Sequence, residues 1–271
     1  MPKIGIPACA MFTMPWVNAL QVAADIGYEA FEVNCTPFVG DLDEIKPHDI
    51  EKARGIAEKT GLEICVHSPF YELNIAASSR GIRNESVKYI KKSVDLCADL
   101  GGNVLILHSG HYSYRVRKED TDKNIFMQLQ WDYNIDSIKQ INNYANSKDV
   151  TICLENVGVD PQHIDQTFED LLEIRKLVGD SLKFTLDLGH ARLTEGVQKG
   201  ISTLGDNIHH IHFTDNFGKK DDHLPIGEGN FDYSGFIEYV RSFPYIVTLE
   251  VVYIGNDSGP SIRSLEYFNG L

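Results

Sequence analysis

Short apolar runs alternate along the chain with longer segments in which apolar residues recur at helical spacing. The short runs have the length and the β-branched content of buried strands, and the longer segments are typical of amphipathic helices. The strand-like runs are Ile4–Ala8, Ala30–Asn34, Leu62–His67, Val104–His108, Val150–Glu155, Leu182–Asp187, Ile208–Phe213 and Ile246–Val251. The helix-like segments include Trp16–Ile26, His48–Lys59, Glu85–Leu100, Phe168–Leu177 and Phe236–Arg241.

This order of elements predicts an α/β fold. Strands separated by helices pair in parallel through right-handed crossovers, and eight strands with their helices close a TIM barrel. Gly27, Gly61 and Gly101 follow three helix-like segments at the position of a C-cap glycine. Since no proline-rich or low-complexity linker divides the chain, we predict a single (β/α)8 TIM-barrel domain over residues 1–271. An open doubly wound sheet is the alternative.

Six of the strand-like runs carry a polar side chain at or beside their carboxyl end. These residues are His67, His108, Glu155, Asp187, His212 and Glu250. In a barrel the carboxyl ends of all strands open onto one face, so these imidazoles and carboxylates should converge. A single one is more often a hydrogen-bonded barrel residue than a ligand. Six at equivalent positions favour a shared divalent cation, because neutral His and ionised Asp or Glu are its ligands.

Three further residues suggest a separate metal position. His190 lies three residues after Asp187, in the predicted loop behind the sixth strand. After the seventh strand, Asp221 and His223 are separated by one residue in the segment DDHLPIGEGNFD. An Asp-x-His pair in an extended loop can direct both side chains toward one ion. The pair is a weak signal alone and gains weight beside His190.

The other histidines favour simpler interpretations. His210 is in phase with His212 and should be a hydrogen-bonded core residue one layer deeper. His163 is expected at a surface or loop position. His111, near Arg115 and Arg117, could help to bind an anion, and solvent exposure explains it equally well.

The composition narrows the class of partner. The chain has 25 Lys and Arg against 39 Asp and Glu, a net charge of −14, which disfavours duplex DNA. Its apolar runs are too short for a membrane span, so no membrane partner is expected. The five cysteines are scattered and form no CxxC motif, which indicates reduced thiols and a cytoplasmic location. The oligomeric state stays open.

These motifs resemble the xylose isomerase-like TIM-barrel superfamily, also called AP endonuclease family 2. The resemblance rests on CVHSPF with LNIA, LILHSG, ICLENV, FTLDLGHA, HIHFTDN, DDHLPIGEGNFD and VTLEV, and it runs nearly the whole length of the chain. Two branches of the superfamily imply different chemistry.

The sugar isomerase and epimerase branch resembles this chain at Glu155, Asp187, His212 and Glu250. The resemblance implies that these four residues bind one Mn²⁺, Mg²⁺, Co²⁺ or Zn²⁺. It also implies that Glu155 and Glu250 are catalytic and move a proton between neighbouring carbons.

The endonuclease IV branch implies a trinuclear zinc site. His67, His108 and Glu155 would hold one ion, and Glu155 would bridge to a second ion on Asp187, His212 and Glu250. The remaining three candidates, His190, Asp221 and His223, would hold the third. A hydroxide between two ions would attack phosphorus.

We therefore expect first a metal-dependent phosphoester hydrolase with up to about three zinc ions, where manganese, iron, cobalt or magnesium could substitute. The alternative is a divalent-metal-dependent sugar or sugar-phosphate isomerase or epimerase. A metal-binding module without catalysis is a third class. A small phosphorylated or sugar substrate suits the acidic chain better than duplex DNA does.

Overall fold

The computed structural model describes residues 1–37, 39–113, 124–255 and 257–271. Eight parallel strands close a barrel in the order of the sequence, with helices in the connections between them, which confirms the predicted (β/α)8 fold. The strands are β1 (Lys3–Pro7), β2 (Ala30–Asn34), β3 (Glu63–His67), β4 (Val104–Leu107), β5 (Thr151–Glu155), β6 (Lys183–Asp187), β7 (Ile208–Phe213) and β8 (Ile246–Leu249). The helices are α1 (Trp16–Ile26), α2 (Pro47–Thr60), α3 (Arg80–Asp99), α4 (Asn124–Asn146), α5 (Phe168–Val178), α6 (Leu188–Leu193), α7 (Val197–Leu204), α8 (Ile237–Arg241) and α9 (Gly259–Gly270).

The main hydrophobic core lies between the barrel and its helices. Because successive strand residues point to opposite faces, alternate positions such as Phe31 and Val33 on β2 face the helix layer. Phe184 and Phe213 do the same on later strands, and all four side chains are fully buried. This layer presses the helices onto the barrel and holds the strand ends in place.

The interior of the barrel is apolar near the amino ends of the strands and polar toward their carboxyl ends. Ala30, Cys65, Ile106 and Ile246 form a small separate apolar cluster there. The next inward positions along the strands are polar, as with Glu32 on β2, two residues after Ala30. The barrel thus provides an apolar floor beneath a polar mouth.

Local signals account for the ends of several elements. Gly27, with φ of 106°, ends α1 in the left-handed conformation that glycine adopts most easily. Thr167 and Asp170 form a capping box at the start of α5. One expectation was wrong: His190 lies in α6 rather than in a loop, since this short helix begins directly at the end of β6.

The structure also bears on the expectations for the cysteines, for the arginines near His111 and for a membrane span. The five cysteines are free thiols, and Cys9 alone among them is partly exposed. Arg115 and Arg117 lie outside the described residues. Within the described ranges, every helix is too short or too polar to cross a membrane.

Candidate metal centre at the carboxyl ends of the strands

All nine candidate ligands lie around the mouth of the barrel. Their ligand atoms fall into three compact groups, and within each group the atoms lie within 4.8 Å of one another. The first group is His67, His108 and Glu155; the second is Glu155, Asp187, His212 and Glu250; the third is His190, Asp221 and His223. Glu155 belongs to both of the first two groups.

The two carboxylate oxygens of Glu155 face different neighbours. Its Oε2 lies 3.0 Å from His108 Nε2 and 3.4 Å from His67 Nε2. Its Oε1 lies 3.1 Å from His212 Nδ1. Because β5 lies between β4 and β6 and ends at Glu155, the side chain reaches histidines on either side of it. This orientation suits a carboxylate that bridges two ions.

Asp187 occupies the junction between β6 and α6. Its Oδ1 accepts a hydrogen bond from the His190 backbone N–H at 2.5 Å and caps the helix. Asn156 holds the same junction, since its side chain pairs with both the N–H and the C=O of Asp187. The Asn156 carbonyl also accepts from His190 Nδ1 at 2.9 Å. One short segment therefore fixes a ligand of the second group and a ligand of the third.

The loop after β7 carries the other two members of the third group. His190 Nε2 lies 3.0 Å from Asp221 Oδ2, and His223 Nε2 lies 2.6 Å from the same oxygen. His223 adopts the left-handed conformation with φ of 46°, which is uncommon for a residue other than glycine and is a form of strain found at functional sites. Its Nδ1 lies 3.4 Å from Glu250 Oε2, so the third group adjoins the second.

A buried carboxylate organises this loop. Asp215 accepts hydrogen bonds from the backbone N–H groups of Asn216, Gly227, Gly229 and Phe231. It also accepts from the Tyr233 hydroxyl at 2.5 Å, and its backbone pairs with Leu224. These contacts close the loop on both sides of His223. The position of the third group thus depends on a residue outside it.

Three of the candidate histidines are held through their other ring nitrogen. His67 Nδ1 is 2.9 Å from the Ser68 carbonyl, and His190 Nδ1 is 2.9 Å from the Asn156 carbonyl. His212 Nε2 lies 3.0 Å from Glu32 Oε2. Each contact leaves the opposite nitrogen facing its group, which is the arrangement found around metal-bound histidines.

The crowding of charges at the mouth shifts several pKa values. Burial, together with the charges of Glu250 and Glu155, raises the pKa of Asp187 to about 8. Burial alone would lower the pKa of His190, but the charge of Asp187 and the hydrogen bond to Asp221 raise it to about 10. Burial opposes ionisation of Glu155, yet His212 and His108 hold its pKa well below the usual range. In the absence of metal, protons therefore balance part of the negative charge at the mouth, and a bound cation would replace them.

Two buried carboxylate oxygens support a cation at these positions. Asp187 Oδ2 and Asp221 Oδ1 meet no hydrogen-bond donor among the described residues. An unpartnered buried oxygen is costly, and a metal ion satisfies it. The oxygen and imidazole donors of the three groups match the ligand preferences of Zn²⁺, Mn²⁺ and related ions.

The other histidines discussed from the sequence lie outside the three groups, and Phe70 lies beside one of the candidate ligands. His210 is fully buried, and its Nε2 lies 3.0 Å from the Thr248 hydroxyl, in agreement with a bonded core residue. His163 is half-buried in a loop, and burial together with His108 lowers its pKa to about 4. His111 is also half-buried and pairs with His163 through an isolated bridge. Phe70 stacks on His108 with ring centroids 4.5 Å apart.

Sequence reasoning missed Glu32, Asn156 and Asp215, which support the candidate ligands. The sequence does contain a signal for Glu32, because a single charged residue stands among uncharged residues in the strand AFEVN. Asn156 directly follows Glu155 in the ENV motif, and Asp215 follows the HIHF run. Their roles depend on backbone contacts across the mouth that the sequence does not show.

Fold and site together define a (β/α)8 barrel with a candidate metal centre at the carboxyl ends of its strands. The chain belongs to the family described as xylose isomerase-like TIM barrel, whose model matches residues 20–269.

Among relatives, fructoselysine 3-epimerase from Shigella flexneri is 22% identical over 281 residues, covering 99% of this chain and 98% of its own length. A probable endonuclease 4 from Mycobacterium marinum is 27% identical over 234 residues, 83% of this chain and 85% of its own. The crystal structure of a D-tagatose 3-epimerase-like protein superimposes with a TM-score of 0.81 at 24% identity, covering 99% of this chain and 98% of that chain.

Proposed function

We propose that this protein is a divalent-metal-dependent epimerase or isomerase that acts on a ketose or a ketose derivative. The observation that carries the proposal is the second group, in which two glutamates stand on either side of Asp187 and His212 at the mouth of the barrel. The end-to-end likeness to fructoselysine 3-epimerase supports it, because the match covers nearly all of both chains.

The second group would hold the ion. When bound, a divalent ion polarises the carbonyl of the sugar and makes the neighbouring C–H more acidic. Asp187 and His212 would anchor it from β6 and β7, and Glu155 and Glu250 would complete the set.

Glu155 and Glu250 are suited to move the proton. Burial raises the pKa of each, but nearby histidines outweigh burial and hold both pKa values low, so both carboxylates are ionised. Glu155 ends β5 and Glu250 follows β8, so they approach the ligand from different sides of the mouth. One glutamate, as the carboxylate, would remove the proton from the carbon. The other would first take up a proton from water and then deliver it to the opposite face, so that the two glutamates would exchange protonation states in each inversion.

Phosphoester hydrolysis is the second candidate, and one observation favours it. The first and third groups add five ligands that a one-ion epimerase does not need, and Glu155 faces the first and second groups with separate oxygens. A site with two or three ions would neutralise a phosphate and activate water. The relation to a probable endonuclease 4 is consistent with this candidate.

The charge of the chain favours a small substrate in either case. A net charge of −14 repels a polyanion at long range, whereas a small sugar or sugar phosphate enters the mouth without a basic surface. Duplex DNA with an abasic site is therefore a test substrate rather than the proposed one.

Metal counting combined with a substrate panel tests the proposal. Protein purified without chelator would be analysed for bound metal, located by anomalous scattering, and assayed on ketoses, generic phosphodiesters and abasic-site DNA. We expect epimerisation of a ketose with an ion at the second group. Phosphoester cleavage with ions at all three groups, and no ketose turnover, would contradict the proposal and establish the second candidate.

A further inference from the structure

We propose that Glu32 is a positioning residue for the metal ligand His212. It would fix which ring nitrogen of His212 faces the ion and would increase the electron density at that nitrogen. The inference rests on the proposed function, since it assumes an ion at the second group.

The geometry places the two ring nitrogens of His212 in different surroundings. Nδ1 faces the mouth, at 3.1 Å from Glu155 Oε1 and 3.3 Å from Glu250 Oε2. Nε2 faces the interior, at 3.0 Å from Glu32 Oε2. Both nitrogens therefore face carboxylates, but Glu155 and Glu250 belong to the second group and Glu32 does not. An ion bound to the second group would replace the proton on Nδ1. The carboxylate of Glu32 can only accept, so it would keep the proton on Nε2.

Glu32 is itself held in place. The Thr248 hydroxyl donates to its Oε2 at 3.1 Å, and Asn34 Nδ2 lies 3.3 Å from its Oε1. Glu32 and Thr248 are both fully buried. The carboxylate therefore has little freedom to turn away from His212.

The burial of Glu32 calls for a functional explanation. A buried ion pair often contributes no more stability than well-packed apolar residues of the same volume. An apolar side chain here would extend the cluster that begins at Ala30, two positions earlier on the same strand. Retaining a carboxylate instead is explained by its contact with a ligand.

Glu32 also differs from the groups that hold two other candidate histidines. His67 and His190 donate to backbone carbonyls, which are neutral. Glu32 supplies a negative charge to His212, and a charged acceptor strengthens the hydrogen bond and raises the basicity of the opposite nitrogen. Of these three imidazoles, His212 should therefore be the strongest electron-pair donor to a bound ion.

The first experiment uses the unmodified protein. The imidazole nitrogens would be labelled with ¹⁵N, and NMR spectra of the zinc-loaded protein would be recorded. We expect zinc on Nδ1 of His212 and a proton on Nε2. A proton on Nδ1 with zinc on Nε2 would overturn the inference.

The second experiment compares Glu32→Gln with Glu63→Gln. Both variants remove one carboxylate charge, but Glu63 is half-exposed on β3 and pairs with Lys3. Chelator competition with zinc, on protein shown to be folded by its melting curve, should give about a 10- to 100-fold weaker affinity for Glu32→Gln. Glu63→Gln should match the unmodified protein.

An affinity of Glu32→Gln within threefold of the control would overturn the positioning role while leaving the proposed function intact. Failure of the unmodified protein to bind zinc, manganese or cobalt would overturn both. If Glu32→Gln does not fold, the ring-nitrogen spectra of the unmodified protein decide the question.

Discussion

His108→Ala separates the two candidate functions, because His108 belongs to the first group and not to the second. Its ring is largely buried, lies 3.0 Å from Glu155 Oε2 and stacks on Phe70. Loss of the stacked pair costs about 0.5–1.5 kcal/mol. Together with the cavity that the missing ring leaves, the substitution should lower the free energy of unfolding by about 1–3 kcal/mol. This is less than the usual stability of a domain, about 5–15 kcal/mol, so the variant should fold.

The effect on turnover then depends on the number of ions used. If the second group alone catalyses epimerisation, ketose turnover should stay within about tenfold of the unmodified protein, because its four ligands remain. If an ion at the first group is required for hydrolysis, its loss removes several kcal/mol of charge stabilisation. At 1.36 kcal/mol per tenfold, hydrolysis would fall about a thousandfold or more.

The assay measures steady-state turnover and metal content of His108→Ala beside His111→Ala. His111 is half-buried, three residues further along the chain, and belongs to none of the three groups. A thousandfold loss of ketose turnover in His108→Ala, with the second-group ion still bound and His111→Ala unaffected, would refute the one-ion mechanism.

Two further predictions concern metal uptake. At pH 7 the metal-free protein holds a proton on His190, because the charge of Asp187 and the hydrogen bond to Asp221 outweigh burial and raise its pKa to about 10. Zinc binding should release this proton and should strengthen as the pH rises toward that value. Calorimetry in buffers of different ionisation enthalpy that detects no proton release would contradict this prediction. Asp215→Asn should destabilise the folded conformation of the loop after β7 by about 1–3 kcal/mol. The third group should therefore lose its ion before the first and second groups do. Elemental analysis would check this against exposed Asp232→Asn, and unchanged metal content would contradict it.

Much of the fold and of the candidate ligand set could be predicted from the sequence because the barrel repeats one unit. Each strand is short and apolar, and each polar end lies at the same face, so His67 and Asp187 could be grouped without knowledge of any contact. The same logic missed Glu32, since it lies within its strand rather than at the end. It also placed His190 in a loop, because a six-residue helix capped by Asp187 leaves too short a periodic pattern.

The supporting contacts could not be predicted for a different reason. Asp215 organises its loop through backbone N–H groups, which every residue but proline has. The sequence therefore shows the carboxylate but not its acceptor role. Shape, not residue type, decides which loop amides point toward it.

The position of Glu155 has a thermodynamic consequence. If Glu155 bridged two ions, the affinities of the first and second groups for their ions would not be independent, because both ions would share one carboxylate whose Oε1 and Oε2 face opposite ways. An ion bound to one oxygen would fix the orientation of the other oxygen. It would also reduce the negative charge available to a second ion. By linkage, whatever factor the first ion imposes on the affinity of the second, the second imposes on the first. Binding of the two ions would then be cooperative. The cooperativity would be positive if the gain from orienting the carboxylate outweighed the loss of its charge, and negative otherwise.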